Sequence, residues 1–316
     1  MKEVYKKLKE LYENPEQDLW TETVIFGEKA GEKRLLTELS DCEEQYVFRE
    51  RVGRIPHLVI CGGGHVAIAI TKMGKMLGFT VTVLEDRPQF ADHARKAGAD
   101  FVRCDTFKHG LSTIKGNSDT WFVIVTRGHR YDTECLELIL KKKYAYVGMM
   151  GSRRRVAIVK DQLEEKGVSR ELLDEVHTPI GLKIGAETPE EIAVSVMAEI
   201  IEIKNKRVDS GGYSKEILNA IFERDNEQKK VLATIISRKG SAPRGVGTKM
   251  VIEENGKLTG TIGGGCIESE IIQKALLMMR KNEVSFQVCT VDMTAEAAEN
   301  EGMVCGGVVK VMLEII

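Results

Sequence analysis

The stretch HLVICGGGHVAIAITKMGKMLGFTVTVLEDR, from His57 to Arg87, leaves a chain few folds to choose from. An apolar strand runs into three glycines, a helix follows and ends near Gly78, and a second apolar strand closes on acids. Similar strand-then-helix units come after it: WFVIVT (Trp121 to Thr126) before YDTECLELILKKK (Tyr131 to Lys143), then YAYVGMMG (Tyr144 to Gly151) before SRRRVAIVKDQLEEKG (Ser152 to Gly167). Such alternation predicts an α/β fold, a Rossmann-like doubly wound parallel sheet with helices on both faces. A last helix begins at TPEEIAVSVMAEIIEIKNKR, with Thr188 as N-cap, Pro189 in the first helical position and Glu191 completing a capping box, and it closes the domain.

The first turn of this domain satisfies G-x-G-x-x-A through Gly62, Gly64 and Ala67, with Glu85 and Asp86 about twenty residues further on. Glycines there permit a tight turn and close approach of a phosphate, and Glu85 is placed to accept from ribose hydroxyls, so NAD or NADP is one expected ligand. A tight turn is also needed by the fold itself, with or without a nucleotide. His65 lies inside the turn, where it faces a phosphate or caps the helix. Arg127, His129 and Asp132 in TRGHRYD, and Ser152 and Arg153 in VGMMGSRR, follow strands and so fall at the carboxyl edge of the sheet. Either they form an anion-binding cluster there or they are solvated loop residues.

Residues 1–52 precede this domain as a short segment, and a weak echo of their order (Tyr5, Asn14, Gln17) in Tyr213, Asn226 and Gln228 suggests a decayed copy of the chain's other end. Residues 53–207 make the Rossmann-like domain, VDSGGYSK (Val208 to Lys215) reads as a linker, and residues 208–316 make a smaller α+β domain. Within it TIGGGCIE, Thr261 to Glu268, sets three glycines before a cysteine and an amphipathic run. Bare backbone N–H groups of Gly263, Gly264 and Gly265 and the positive end of a helix suit an anion or a thiolate, which Glu268 opposes. The plainer alternative is a tight turn beside a buried, inert thiol.

Balanced charge, 46 Lys plus Arg against 48 Asp plus Glu, argues against nucleic acid or an acidic membrane as partner. No apolar run reaches the ~20 residues of a membrane span, and the charged N-terminus holds no signal-peptide core, so a cytoplasmic protein is expected. The seven cysteines lack any C-x-x-C pair, against a zinc ribbon or disulfide framework. Cys266 and Cys305, in MVCGGVV, have distinctive surroundings; Cys61, Cys104, Cys135 and Cys289 lie on apolar patterns and read as packing residues, while Cys42 carries no signal.

Together ISRKGSAPRGVGTKMVI, GTIGGGCIESEII and GMVCGGVVKVMLE in one domain, with ICGGGHVAIAI, VTVLEDRPQFA, TRGHRYD, YVGMMGSRRRV and HTPIGLKIGAETPEEIAVSVMAEII in the other, resemble the XdhC/CoxI family. These are accessory proteins for molybdenum hydroxylases such as xanthine dehydrogenase, and the family usually carries the GGGC domain first, whereas here the order is reversed. The resemblance implies a chaperone that binds the molybdenum cofactor in its molybdopterin form, promotes its sulfuration with a cysteine desulfurase, delivers it to an apo molybdenum hydroxylase, and forms a homodimer. Soft thiolates suit the cofactor's metal, which makes Cys266 the chief metal- or sulfur-facing residue and Cys305 the second. Arg244, in SAPRGVG, is a candidate phosphate contact and Glu268 an orienting residue. The competing expectations are an NAD(P)-dependent oxidoreductase, although the Rossmann-like stretch holds no Tyr-x-x-x-Lys pair, and a sulfur carrier working through a Cys266 persulfide.

Overall fold

The computed structural model describes residues 2–12, 18–37, 46–207, 213–223, 228–240, 244–281, 283–292 and 307–316. Its first elements are α1 (Lys2–Tyr12), β1 (Leu19–Val24), β2 (Lys33–Leu36) and β3 (Val47–Val52). The Rossmann-like stretch contains β4 (His57–Cys61), α2 (His65–Met76), β5 (Thr80–Glu85), α3 (Pro88–Lys96), β6 (Phe101–Cys104), α4 (Phe107–Ser112), β7 (Thr120–Ile124), α5 (His129–Ile139), β8 (Tyr146–Met149), α6 (Arg153–Glu165), α7 (Arg170–Asp174) and α8 (Pro189–Lys206). After it come α9 (Lys215–Phe222), β9 (Lys230–Gly240), β10 (Lys249–Glu253), β11 (Leu258–Gly260), α10 (Gly265–Lys281), β12 (Phe286–Asp292) and β13 (Gly307–Ile315).

The chain divides into two compact units, one formed by Ile55–Val208 and the other by Met1–Arg54 together with Asp209–Ile316. The Rossmann-like domain is therefore inserted into the second unit. The N-terminal segment belongs to the same compact unit as the C-terminal region. Tyr5 and Tyr213, matched in the weak echo, lie in one core cluster of that unit.

In the inserted unit the strand order is β6-β5-β4-β7-β8, and every pairing is parallel. The order changes direction between β4 and β7, which creates the switch point where doubly wound sheets hold ligands. Strands buried on both faces read as unbroken apolar runs because successive side chains serve opposite cores. Val59, Phe122 and Ile124 meet Leu136, Ile139 and Leu163 on one face; Leu58, Ile60 and Val123 meet Ile70, Val196 and Ile200 on the other. The capping box at α8 is formed, with the Thr188 hydroxyl accepting from Glu191 N and the Glu191 carboxylate accepting from Thr188 N, a device worth about 1 kcal/mol. The unit's two ends meet one short turn: His57 N donates to Asp119 O at 2.9 Å, and Arg207 donates to Ser118 O at 2.8 Å. Cys61 and Cys135 are buried as expected of packing residues, but Cys104, on the edge strand β6, is exposed.

The other unit holds an antiparallel sheet of order β11-β10-β9-β13-β12 and a small antiparallel sheet of order β2-β1-β3. One face of the larger sheet, through Val231, Ala233, Ile252 and Val311, packs on Ile267, Ile271 and Met278 of α10. On the other face Leu232 and Val251 join Leu8, Leu19, Val52 and Ile217. Charges sit in the same interior. Lys33 Nζ lies 2.7 Å from Glu314 with neither side chain exposed, and Lys249 Nζ lies 2.6 and 2.8 Å from the two oxygens of Glu50. Lys33 also donates to the Tyr5 hydroxyl at 3.0 Å. Burial opposes the charge on Lys33, yet the Glu314 carboxylate outweighs it and raises the ammonium's pKa. Each pair joins the N-terminal segment to the C-terminal region, and unpaired ions at these positions would be costly enough to hold the two together.

Candidate functional site

In the inserted unit, the turn Gly62–His65 follows β4, Glu85–Arg87 follows β5, Thr126–His129 follows β7 and Met150–Arg153 follows β8, so all four reach the carboxyl edge of the parallel sheet. Gly62 has φ +118°, and a Cβ there would come 2.5 Å from Val125 O, so the fold itself requires glycine. Gly64 differs. Its φ is −71°, which any residue adopts, and a Cβ would meet nothing within 4 Å.

Glu85 is buried and its carboxylate is engaged within the chain. It accepts from Gly63 N at 2.6 Å and from Arg87 Nε at 2.8 Å. The expected ribose acceptor thus braces the glycine turn instead of facing outward in this arrangement. Arg127 donates to both oxygens of Asp86 and to the Tyr131 hydroxyl, and these bonds, the Asp86 one foremost, raise its pKa and lower that of Asp86. Asp132 is fully buried and bonded to Thr126 and Arg155, so it works as an internal brace, while Ser152 caps α6 by accepting from Arg155 N at 3.3 Å. His65 and Arg153 are exposed at the first turns of α2 and α6, and His129 opens α5.

One contributor to this edge escaped sequence reading. His177 forms a parallel bridge with Gly148, Met149 N donates to His177 O at 3.0 Å, and Ile180 N donates to Met149 O at 3.1 Å. The segment thereby runs beside β8 and carries Gly181 to Glu187, with exposed Leu182 and Ile184, to the same edge. Ser195 fixes it, its hydroxyl donating to Leu182 O at 2.6 Å. HTPIGLKIGAE offers neither helical nor alternating periodicity, so no local signal announced an extra strand-like stretch.

In the other unit β11 leads into the glycine run, where Gly263, Gly264 and Gly265 all have positive φ, +137°, +74° and +62°. α10 begins at Gly265 and places Cys266 in its first turn. The N–H groups of Gly263 and Gly264 are engaged within the chain. Glu268 Oε1 accepts from Ile262 N at 3.0 Å, Gly263 N at 3.3 Å and Gly264 N at 3.0 Å, and also from the Thr261 hydroxyl. Partial burial would raise the Glu268 carboxyl, but these hydrogen bonds outweigh it and hold the pKa below the usual carboxylate range. Among the described residues a Cβ on Gly264 would meet nothing within 4 Å, and Arg244 is exposed. Cys305 and Cys42 lie outside the described residues, as do Ser241 to Pro243 and most of the linker from Val208. Among the described residues no cluster of His, Cys, Asp and Glu could hold a metal ion by itself.

A parallel α/β unit inserted into an antiparallel, cysteine-bearing unit defines the class. The family model described as the XdhC Rossmann domain matches residues 58–200, and that described as the XdhC and CoxI family matches residues 224–290. The chain belongs to the XdhC/CoxI family, with the Rossmann domain first. It is 29% identical over 160 residues to a Bacillus subtilis protein named as a probable subunit of xanthine dehydrogenase, covering 51% of this chain and 46% of that one. It is 41% identical over 49 residues to the molybdenum cofactor insertion chaperone PaoD of Escherichia coli, 16% of this chain and 15% of that one. The chain spans less than half the length of the curated relatives it matches. The crystal structure of a xanthine dehydrogenase from Bacillus halodurans shares the fold, with a TM-score of 0.50 at 21% identity over 70% of each chain. No helix among the described residues is long and apolar enough to cross a membrane.

Proposed function

We propose that this protein is an accessory factor that binds the molybdenum cofactor as cargo, promotes its sulfuration and delivers it to a xanthine dehydrogenase-type hydroxylase. What supports the reading most is the coincidence, within the XdhC and CoxI family match, of an open glycine loop and a cysteine in the first turn of the helix it starts. The cargo is an anionic pterin phosphate whose molybdenum favours sulfur donors. Cys266 is the residue proposed to face its metal or carry sulfur, with Cys305 as a second thiol, Arg244 as a phosphate contact, and Gly263 to Gly265 lining the approach. A cysteine desulfurase as sulfur source, an apo-hydroxylase as recipient and a homodimeric state complete the proposal. The similarity to PaoD points the same way.

For the Rossmann-like edge we propose a supporting anion site at Gly64, His65, His129 and Arg153. A nicotinamide-dependent oxidoreductase is the weaker reading, because Glu85 is engaged with Gly63 and Arg87. The deciding experiment mixes the protein anaerobically with molybdenum cofactor and follows pterin fluorescence and molybdenum through gel filtration. The wild type should retain both and Cys266→Ala should lose most of them. Equal retention removes Cys266 from the site, and no retention by either protein refutes cofactor binding.

A further inference from the structure

Three successive residues with positive φ make an expensive backbone, since glycine loses more conformational freedom on folding than any other residue. Something must hold Gly263, Gly264 and Gly265 in that path. Successive N–H groups turned to one side form an anion-binding concavity, and such a nest ordinarily awaits a ligand. Here the anion is supplied by the chain. One oxygen of Glu268 collects the N–H groups of Ile262, Gly263 and Gly264 and the Thr261 hydroxyl, reaching back from the first turn of α10. In the inserted unit a carboxylate likewise accepts from a glycine-turn amide, Glu85 from Gly63 N at 2.6 Å, although there one N–H and not a nest is engaged.

We infer that Glu268 is a positioning residue, the resident anion of the glycine nest, which fixes the backbone leading to Cys266. The amides of Ile262, Gly263 and Gly264 are then not the contacts for an incoming anion. A tethered carboxylate already bonded four times competes at a high effective concentration, and a mobile phosphate cannot match it. What the glycines offer a ligand is absence of side chains, most clearly at Gly264, where a Cβ would meet nothing within 4 Å among the described residues. The nest keeps the loop in one shape whether or not cargo is present. The inference rests on the proposed role of Cys266 only for its functional meaning; the holding of the loop stands without it.

The test deletes the resident anion and returns it from solution. Amide hydrogen exchange is followed in peptides spanning Thr261 to Ile267 for wild type, Glu268→Ala and Glu268→Gln, with formate as probe and chloride at equal ionic strength as control. Loss of charge-assisted bonds should speed exchange of the three amides by about tenfold or more in Glu268→Ala. Formate at on the order of 0.1 M should slow it again and chloride should not. Glu268→Gln, keeping a neutral acceptor, should fall between wild type and Ala, and it carries the test if the Ala variant fails to fold. Cofactor retention should follow the same ranking, with formate restoring it in the Ala variant. Unchanged exchange in the variants, or equal effects of formate and chloride, overturns the inference. If wild type retains no cofactor while exchange behaves as described, the proposed function fails and the role of Glu268 stands.

Discussion

Replacing Lys33 by Met tests whether the buried ion pairs hold the N-terminal segment in place. Lys33 Nζ sits 2.7 Å from Glu314 Oε2 with both side chains fully buried, and Glu314 Oε1 already has no hydrogen-bond partner. Among the described residues, removing the ammonium leaves the carboxylate with the Tyr5 hydroxyl, 3.4 Å away, as its hydrogen-bond donor. Breaking one partner of such a pair costs about 3–5 kcal/mol. The carboxylate can escape by taking a proton, which from an ordinary carboxyl pKa costs about 4 kcal/mol at pH 7, so the loss is capped near that value. The expected destabilisation is therefore about 3–4 kcal/mol. The assay is urea unfolding in a Trp121→Phe background, which leaves Trp20 of β1 as the sole tryptophan and reports on this unit. The penalty should shrink on going from pH 7 toward 5, because protonation removes the unpaired buried charge. Lys33→Met with Glu314→Gln, which keeps an acceptor for Tyr5 but no charge, should recover about 2 kcal/mol, since the unpaired buried charge is the main cost. A loss below about 1 kcal/mol, or a double variant no better than Lys33→Met, would refute the reasoning.

Gly64→Ala should leave the melting temperature of the inserted unit unchanged or slightly raised, because its backbone is ordinary and its Cβ unobstructed, while Gly62→Ala should cost roughly 2 kcal/mol or more through strain and the clash with Val125 O. Equal effects in a thermal scan would contradict the assignment of Gly62 to the fold and Gly64 to the open edge. Glu22, buried in the small sheet, would have its carboxyl raised by burial, but Arg49 and Arg34 outweigh this and lower it. A depressed carboxyl stabilises fully above its unfolded pKa of about 4.3 and loses that contribution as pH falls through its folded value. Glu22→Gln should therefore flatten the acid limb of stability between about pH 4.5 and 3, measured by urea midpoints.

The parallel sheet was legible because its signals are local. An apolar run, a glycine turn and a capped helix lie within one βαβ unit, and the Thr188 box formed where Thr, Pro and Glu stood in register. The second unit was read only in part, because what assembles it is remote in sequence. Lys33 finds Glu314 and Glu50 finds Lys249 across most of the chain, and no periodicity encodes a partner at that distance. At the candidate sites the residue types were legible while their allegiances were not. Glu85 and Glu268 were read as facing a ligand or opposing a thiolate; both turned to nearby backbone N–H groups, as short-range carboxylates do when a glycine loop leaves donors unclaimed.

His57 and Arg207, at opposite ends of the inserted unit, both hydrogen-bond to the peptide groups of neighbouring residues, Asp119 and Ser118. A unit that enters and leaves at one place behaves as a cassette. It can be spliced into a loop of a host fold, or moved from one end of a chain to the other, without altering a single strand pairing inside it. The reversal of domain order within this family is then a change of wiring, and the two halves of the host are joined by a shared apolar core and two buried ion pairs instead of by continuity of the chain.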